Sequence, residues 1–168
     1  IFQSLMKKYL FILITLFVAG YLASKVQSSW GKVRVQSIKI PTQNGQWIVA
    51  DLFKPVSANA SNPSPLVIVI PGFQRSKETL SNISIELSRR GIVTIAIDPY
   101  AQGLSSSSFS RRAATKEGYG MFALVDYIYD TSILNYVDKD KIGVTGHSAG
   151  GLALSLIHIS EPTRLTCI

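Results

Sequence analysis

Residues 141–153, Lys-Ile-Gly-Val-Thr-Gly-His-Ser-Ala-Gly-Gly-Leu-Ala, constrain the fold more than any other stretch of this chain. Ile142–Thr145 reads as a short buried strand, and the residues after Ser148 read as the start of a helix. Between them stands Gly146-His147-Ser148-Ala149-Gly150, a Gly-x-Ser-x-Gly pattern. A serine on a sharp strand-to-helix turn has its hydroxyl lifted clear of the sheet. The residues two before and two after it pass close to neighbouring backbone, so both places demand glycine. The helix that opens there aims N–H groups and a partial positive charge at the same point. An oxyanion forming on a substrate carbonyl is stabilised by such donors. With glycine and serine each near ~7% of residues, the bare pattern arises by chance in about one chain in twenty of this length. The flanking elements and the upstream segments must therefore carry the assignment.

The 168 residues suffice for one domain. The formal charge of +7 comes from scattered Lys and Arg, with local pairs at Lys7-Lys8, Arg89-Arg90 and Arg111-Arg112. No basic stripe with interleaved aromatics is present, so the charge reads as a solvated face and not as a nucleic-acid footprint. One cysteine, Cys167, and two histidines, His147 and His158, supply neither an internal disulfide nor a Cys/His metal cluster. No cofactor and no metal are expected.

Both ends are set aside before the fold is read. Met6-Lys7-Lys8 opens a signal-type basic region, which makes residues 1–5 upstream translation. Tyr9–Ala23 is a nearly unbroken apolar run of 15 residues. Residues 6–30 therefore read as a signal peptide or an N-terminal membrane anchor. The apolar run has signal-like length, but bulky Tyr21 spoils the cleavage site before Ser24, which favours the anchor. Lys7 and Lys8 favour the cytoplasmic side, so the rest of the protein is expected outside the cytoplasm, membrane-anchored or secreted. At the other end, Leu154–Arg164 resembles the in-frame translation of a sequencing-library adapter. Residues 154–168 are accordingly expected to be an artefact, with the natural protein visible to about Ala153.

Residues 31–153 alternate strand and helix. Val33–Ile40 and Trp47–Phe53 read as an antiparallel pair joined by the Asn44-Gly45 turn. Leu66–Ile70 and Ile92–Ile97 are continuous apolar runs, as expected of strands buried on both faces. Ser76–Arg90 reads as a helix capped by Ser76, with Leu80, Ile83 and Leu87 on its apolar face and Gly91 ending it. Four serines, 105–108, read as a flexible linker. Lys116–Asp130 reads as a helix with Met121, Leu124, Val125 and Ile128 on one face. Asp138–Lys141 turns the chain into the fifth strand. Strands with helical crossovers predict a mostly parallel α/β sheet.

In this order the elements resemble the N-terminal part of the α/β-hydrolase family. The elbow follows the fifth strand, as it does there. Pro71-Gly72-Phe73 resembles that family's oxyanion-hole loop. Asp98-Pro-Tyr-Ala-Gln-Gly103-Leu-Ser105 resembles its Asp-x-x-Gly-x-Gly-x-Ser turn, with Ala101 in place of the first glycine and Gln102 in place of the usual histidine. The Pro-Gly-Phe loop is similar to that of polyester- and lipid-ester-cleaving members and of dienelactone-hydrolase-like proteins. The resemblance implies a three-layer α/β-hydrolase fold, truncated after the fifth strand and the elbow. It implies Ser148 as nucleophile, the backbone N–H groups of Phe73 and Ala149 as oxyanion hole, and Gly146 and Gly150 as the elbow glycines. The family's acid and histidine follow the elbow and are not expected within this chain. Asp98 is expected to organise its turn, Asp126 to solvate a helix face, and His147 to point away from the nucleophile.

The function so implied is a serine hydrolase cleaving a carboxylic ester, of a small molecule, a lipid or a polymer, through an acyl-enzyme. A prolyl-oligopeptidase-type peptidase has a similar elbow, and a non-catalytic binding protein on the same fold is a further alternative. A short-chain dehydrogenase fingerprint is approached by Thr145–Gly151, but Leu152 stands where its last glycine belongs. Four strands also precede the motif, whereas that fingerprint opens its own fold.

Overall fold

The computed structural model describes residues 2–42, 45–107, 118–160 and 166–167. Helix α1, Phe2–Gln27, precedes strands β1, Val33–Pro41, β2, Trp47–Pro55, and β3, Ser64–Ile70. A 3-10 turn, Lys77–Leu80, leads into helix α2, Ser81–Arg89, and then strand β4, Val93–Asp98. Helix α3, Met121–Asp130, strand β5, Val137–Gly146, helix α4, Ala149–Ser160, and the two-residue strand β6, Thr166–Cys167, follow. The sheet order is β1-β2-β4-β3-β5-β6. β2 is antiparallel to both β1 and β4, while β3 pairs in parallel with β4 and β5.

The continuous apolar runs earn their burial by alternation. In β3, Leu66, Ile68 and Ile70 face one side with Ile95 and Ile97 of β4, against Met121, Leu124, Val125 and Ile128 of α3 and Ala153 of α4. Val67, Val69 and Ala96 face the other side with Val33 and Phe53, against Leu80, Ile85 and Leu87 of the 3-10 turn and α2. Helices thus cover both faces of the sheet, and the three-layer α/β-hydrolase architecture is present. Burying each large aliphatic side chain contributes about 1.5–3 kcal/mol, and eleven side chains among the described residues are all but fully enclosed, Ile68, Ile95 and Leu124 among them.

Thr166 and Cys167 pair in parallel with Gly143 and Val144. Three expectations are corrected. The helix expected from Ser76 opens as a 3-10 turn, and Ser76 makes no side-chain cap. That tighter turn rotates the following helix, so Ser84 and Ser88 face the sheet and Ile83 is exposed. Ser88 is tolerated there because its hydroxyl donates to the Phe53 carbonyl at 3.2 Å. Asp138–Lys141 lies within β5, where the pairing with β3 shifts register between Ser64 and Leu66. Asn44, Ser108 and Lys116 fall outside the described residues; Gly45 has φ +74°.

The serine run is no loose linker where it is described. The Ser105 hydroxyl donates to the Asp98 carbonyl at 2.6 Å and accepts from the Val49 amide at 2.8 Å. The Ser106 hydroxyl accepts from the Trp47 amide at 2.9 Å. These hydroxyls extend the β2–β4 pairing beyond the end of β4 and fix the loop across the top of the sheet.

Helix α1 stands outside this sandwich. Leu5–Val26 is 22 residues long and apolar enough to cross a membrane, and none of its most apolar window is buried.

Candidate active site

Gly146 ends β5 beside Ile70, the last residue of β3. The His147 amide still donates to the Ile70 carbonyl at 3.1 Å, and then the chain reverses. Ser148 sits at φ +54°, in the left-handed region that costs a non-glycine residue about 1–2 kcal/mol. α4 begins at the next residue, with Leu152 N–H donating to the Ser148 carbonyl at 3.3 Å. The side chain of Ser148 is exposed at the apex of this turn.

Close packing explains the glycines. A Cβ on Gly146 would stand 2.7 Å from the Gly150 carbonyl carbon. A Cβ on Gly150 would stand 2.4 Å from the Ile70 oxygen and 2.8 Å from the Pro71 oxygen. No side chain fits at either place, so the spacing read from the sequence is a steric requirement of the turn.

The loop after β3 lies directly against the elbow. A Cβ on Gly72 would be 3.3 Å from the Ser148 Cβ and 3.2 Å from His147 Nδ1. Phe73, 59% exposed, and Ala149 line one small, largely apolar pocket with Pro71, Gln102, Tyr119 and Ala153. The two residues expected to supply oxyanion N–H groups thus line one pocket, Ala149 following Ser148 and Phe73 following Gly72. His147 is exposed, with its ring next to Gly72.

The turn after β4 braces that loop. The Gln102 Oε1 accepts from the Arg75 amide at 2.9 Å. The buried Asp98 carboxylate accepts from the Lys77 amide at 2.7 Å and the Leu104 amide at 3.0 Å. Asp98 thus ties the segment after the Pro-Gly-Phe loop to its own turn and takes the organising part expected of it. Gly103 must be glycine, since a Cβ there would lie 2.2 Å from that carboxylate. Ala101, where the resembled motif carries glycine, adopts φ +60°. Asp126 is exposed on α3.

Lys77 is 6% exposed and answers the charge of Asp98. Its Nζ lies 3.7 Å from Asp98, 3.6 Å from Asp51 and 2.5 Å from Glu78. Burial opposes the ammonium most strongly, yet the Glu78 hydrogen bond with the fields of Asp98 and Asp51 outweighs it, and the Lys77 pKa is raised. Burial pushes the Asp51 carboxyl up against the pull of Lys77. The Lys77 hydrogen bond, with a second from Ser76, brings Glu78 down to about 2.

Tyr119 was not singled out by sequence reasoning. It occupies a left-handed turn at φ +56° between Gly118 and Gly120, and its carbonyl accepts from the Tyr100 amide at 3.2 Å. The signal was the Gly-Tyr-Gly triplet, which a continuous helix from Lys116 would not carry.

A sheet of this order, with a strained serine between strand β5 and helix α4 and a Pro-Gly-Phe loop beside it, defines an α/β hydrolase. Within that class the chain belongs to the PETase, or PET hydrolase-like, family, whose model matches residues 20–167. It is 30% identical over 136 residues to an uncharacterized protein of Pseudomonas aeruginosa, covering 79% of this chain and 36% of that protein. A ferulic-acid-bound structure of the protein Est1E from Butyrivibrio proteoclasticus is 27% identical, with a TM-score of 0.64 over 76% of this chain and 49% of that one. Acetyl xylan esterase 1 from Thermoanaerobacterium shares the fold at 17% identity, with a TM-score of 0.66 over 81% of this chain and 47% of that one. The chain spans about a third to a half of the length of these relatives.

Proposed function

We propose that the complete protein is a serine hydrolase that cleaves a carboxylic ester and works outside the cytoplasm. The observation that carries this reading is Ser148 itself, exposed and strained at φ +54° on a turn whose flanking glycines admit no side chain. Strain of this kind persists where the surroundings over-determine it, and it clusters at reacting centres. Membership of a PET hydrolase-like family and likeness to esterases support an ester as substrate.

In the proposed reaction Ser148 Oγ attacks the ester carbonyl carbon while a base takes its proton. The carbonyl oxygen gathers negative charge and is held by the Phe73 and Ala149 amides. Collapse of the tetrahedral species expels the alcohol, which receives the proton, and leaves an acyl-Ser148. Water, activated by the same base, then releases the acid. The base and its orienting carboxylate are a histidine and an acid from segments beyond the first 153 residues of this chain. Residues 154–168 are read as foreign to the natural protein; sequencing the source locus past codon 153 and finding Leu-Ile-His-Ile-Ser-Glu-Pro-Thr-Arg encoded there would refute that.

The test applies a fluorophosphonate probe and a short-chain nitrophenyl ester to the full-length protein, to its Ser148→Ala variant and to residues 25–153. The full-length protein is expected to label and turn over, and the other two to do neither. Undiminished turnover in Ser148→Ala removes Ser148 as nucleophile. Strong labelling of residues 25–153 removes the claim that later segments supply the base. A full-length protein that folds but neither labels nor turns over favours a non-catalytic binding protein.

A further inference from the structure

Helix α1 does not hang from the domain by a loose tether. Its C-terminus closes in a Schellman turn: the Trp30 amide donates to the Lys25 carbonyl at 2.7 Å, and the Ser29 amide to the Val26 carbonyl at 3.1 Å. Ser29 holds the left-handed position at φ +48°, where glycine is the usual occupant. Its side chain gives a reason for the departure. The Ser29 hydroxyl accepts from Arg89 Nε, and Arg89 Nη2 donates to the Val26 carbonyl at 2.8 Å. Arg89 is in the last turn of α2 and is also paired with Glu86. Gly31, Lys32 and Val33 each donate a backbone hydrogen bond back into residues 28–29, and Lys32 accepts one from Val56. Every residue from the end of α1 to the start of β1 is therefore fixed, and one guanidinium fastens the helix end to the sandwich.

This junction lies at the pole of the sheet opposite Ser148. Val33 pairs with Pro55, and Phe53 with Thr94, so the junction is level with the beginning of β4. Ser148 follows the carboxyl end of β5. The six residues of β4 separate the two levels by about 20 Å, at a rise of about 3.3 Å per residue. Around the junction stand Trp30, 66% exposed, and the cations Lys25, Lys32 and Arg90. Tryptophan and lysine or arginine beside a long apolar helix suit the interfacial layer of a bilayer with anionic headgroups.

We propose that α1 is retained as a membrane anchor, that Arg89 locks it to the domain, and that the lock turns the nucleophile away from the bilayer, so that the substrate is an ester outside that bilayer and not one of its lipids. The substrate clause rests on Ser148 being the nucleophile; the placement does not.

The experiment uses full-length protein, with Cys167 replaced by serine if it is native, reconstituted in vesicles of phosphatidylcholine and phosphatidylglycerol carrying a headgroup acceptor dye. A donor at Val56→Cys is expected to transfer energy strongly, and a donor at Leu152→Cys weakly. Equal transfer, or stronger transfer from position 152, overturns the placement. Arg89→Met is expected to cut that difference and to speed trypsin cleavage after Lys32 about tenfold, while Arg89→Lys does so less and soluble-ester turnover stays unchanged in both. Cleavage unchanged in Arg89→Met overturns the lock. N-terminal sequencing of the membrane fraction is expected to begin before Tyr9, and a mature chain beginning after Ala23 overturns the anchor. In the same vesicles a nitrophenyl ester is expected to be hydrolysed with no fatty acid released from the lipids. Release of fatty acid, lost in Ser148→Ala, overturns the substrate clause. Hydrolysis of neither, with the energy-transfer difference intact, overturns the reading of Ser148 and leaves the placement standing.

Discussion

Gly150 meets Ile70 across the elbow so closely that a single methyl group on the glycine would lie 2.4 Å from the Ile70 carbonyl oxygen. Backbone, not a movable side chain, is what stands in the way. Gly150→Ala is expected to lower stability by about 1–3 kcal/mol or more, because overpacking of this kind forces main-chain shifts. Fluorophosphonate labelling of the full-length variant should fall with it, as the displaced helix start no longer presents the Ala149 amide. Chemical denaturation and gel-based labelling read the two effects, and a fully labelled, fully stable Gly150→Ala protein contradicts the packing described.

Ser148→Gly is expected to behave differently from Ser148→Ala. Both lack the hydroxyl and should fail to label. Only glycine relieves the φ of +54°, so it should raise stability over wild type by about 1 kcal/mol, while alanine should leave it nearly unchanged. Melting curves of the three full-length proteins decide, and equal melting temperatures for the glycine and alanine variants would count against strain at this position.

Ala101 offers the same argument without any chemistry. It adopts φ +60° in the turn that carries Gln102 and Gly103. Ala101→Gly is expected to stabilise by about 0.5–1 kcal/mol, the relief of left-handed strain exceeding the entropy lost on folding. The midpoint of a urea titration should rise, with the slope unchanged.

Lys77→Met removes the cation from a site where Asp98 is fully buried. An uncompensated buried carboxylate costs about 3–5 kcal/mol. The expected signature is a large loss of stability that Asp98→Asn, added in the same chain, partly restores. A double variant no more stable than the single one would show that the pair is not coupled.

The acid limb of stability should carry a Glu78 contribution. Its carboxyl is lowered from an ordinary 4.5 to about 2, so the stability it lends is present above pH 4.5 and is lost as pH falls toward 2. Asp51, raised by burial, acts in the opposite sense: its contribution is full below pH 3.8 and declines as pH rises through its folded value. Glu78 is 62% exposed, so water screens the pair and its share is held below about 1 kcal/mol. Glu78→Gln should therefore lose slightly less stability than wild type between pH 4.5 and 2, as measured by denaturant midpoints across that range.

The strands were legible because their signals are local: Leu66–Ile70 and Ile92–Ile97 read as covered on both faces, and β3 and β4 are. The elbow was legible because its sterics are written in residue spacing. What escaped depends on contacts that spacing does not encode. Ser105 and Ser106 have the composition of a linker, and only the approach of Trp47 and Val49 turns their hydroxyls into part of the sheet. The rotation of α2 comes from a 3-10 turn begun by Lys77, whose amide is claimed by Asp98, 21 residues away. The end of α1 is held by a guanidinium 60 residues downstream of Ser29. No pattern within residues 6–30 announces that partner.

The two margins of the sheet are protected unequally. β1 shows solvent Arg34, Lys39 and Pro41, which discourage a foreign strand from docking. On the outer side of β5, among the described residues, only Gly143 and Val144 are paired with a further strand. During synthesis this margin emerges before whatever follows it and is a ready template for a second copy of the same segment. Safe production of the molecule thus depends on timing: the next strand, or a chaperone, must reach β5 before a neighbouring ribosome's product does.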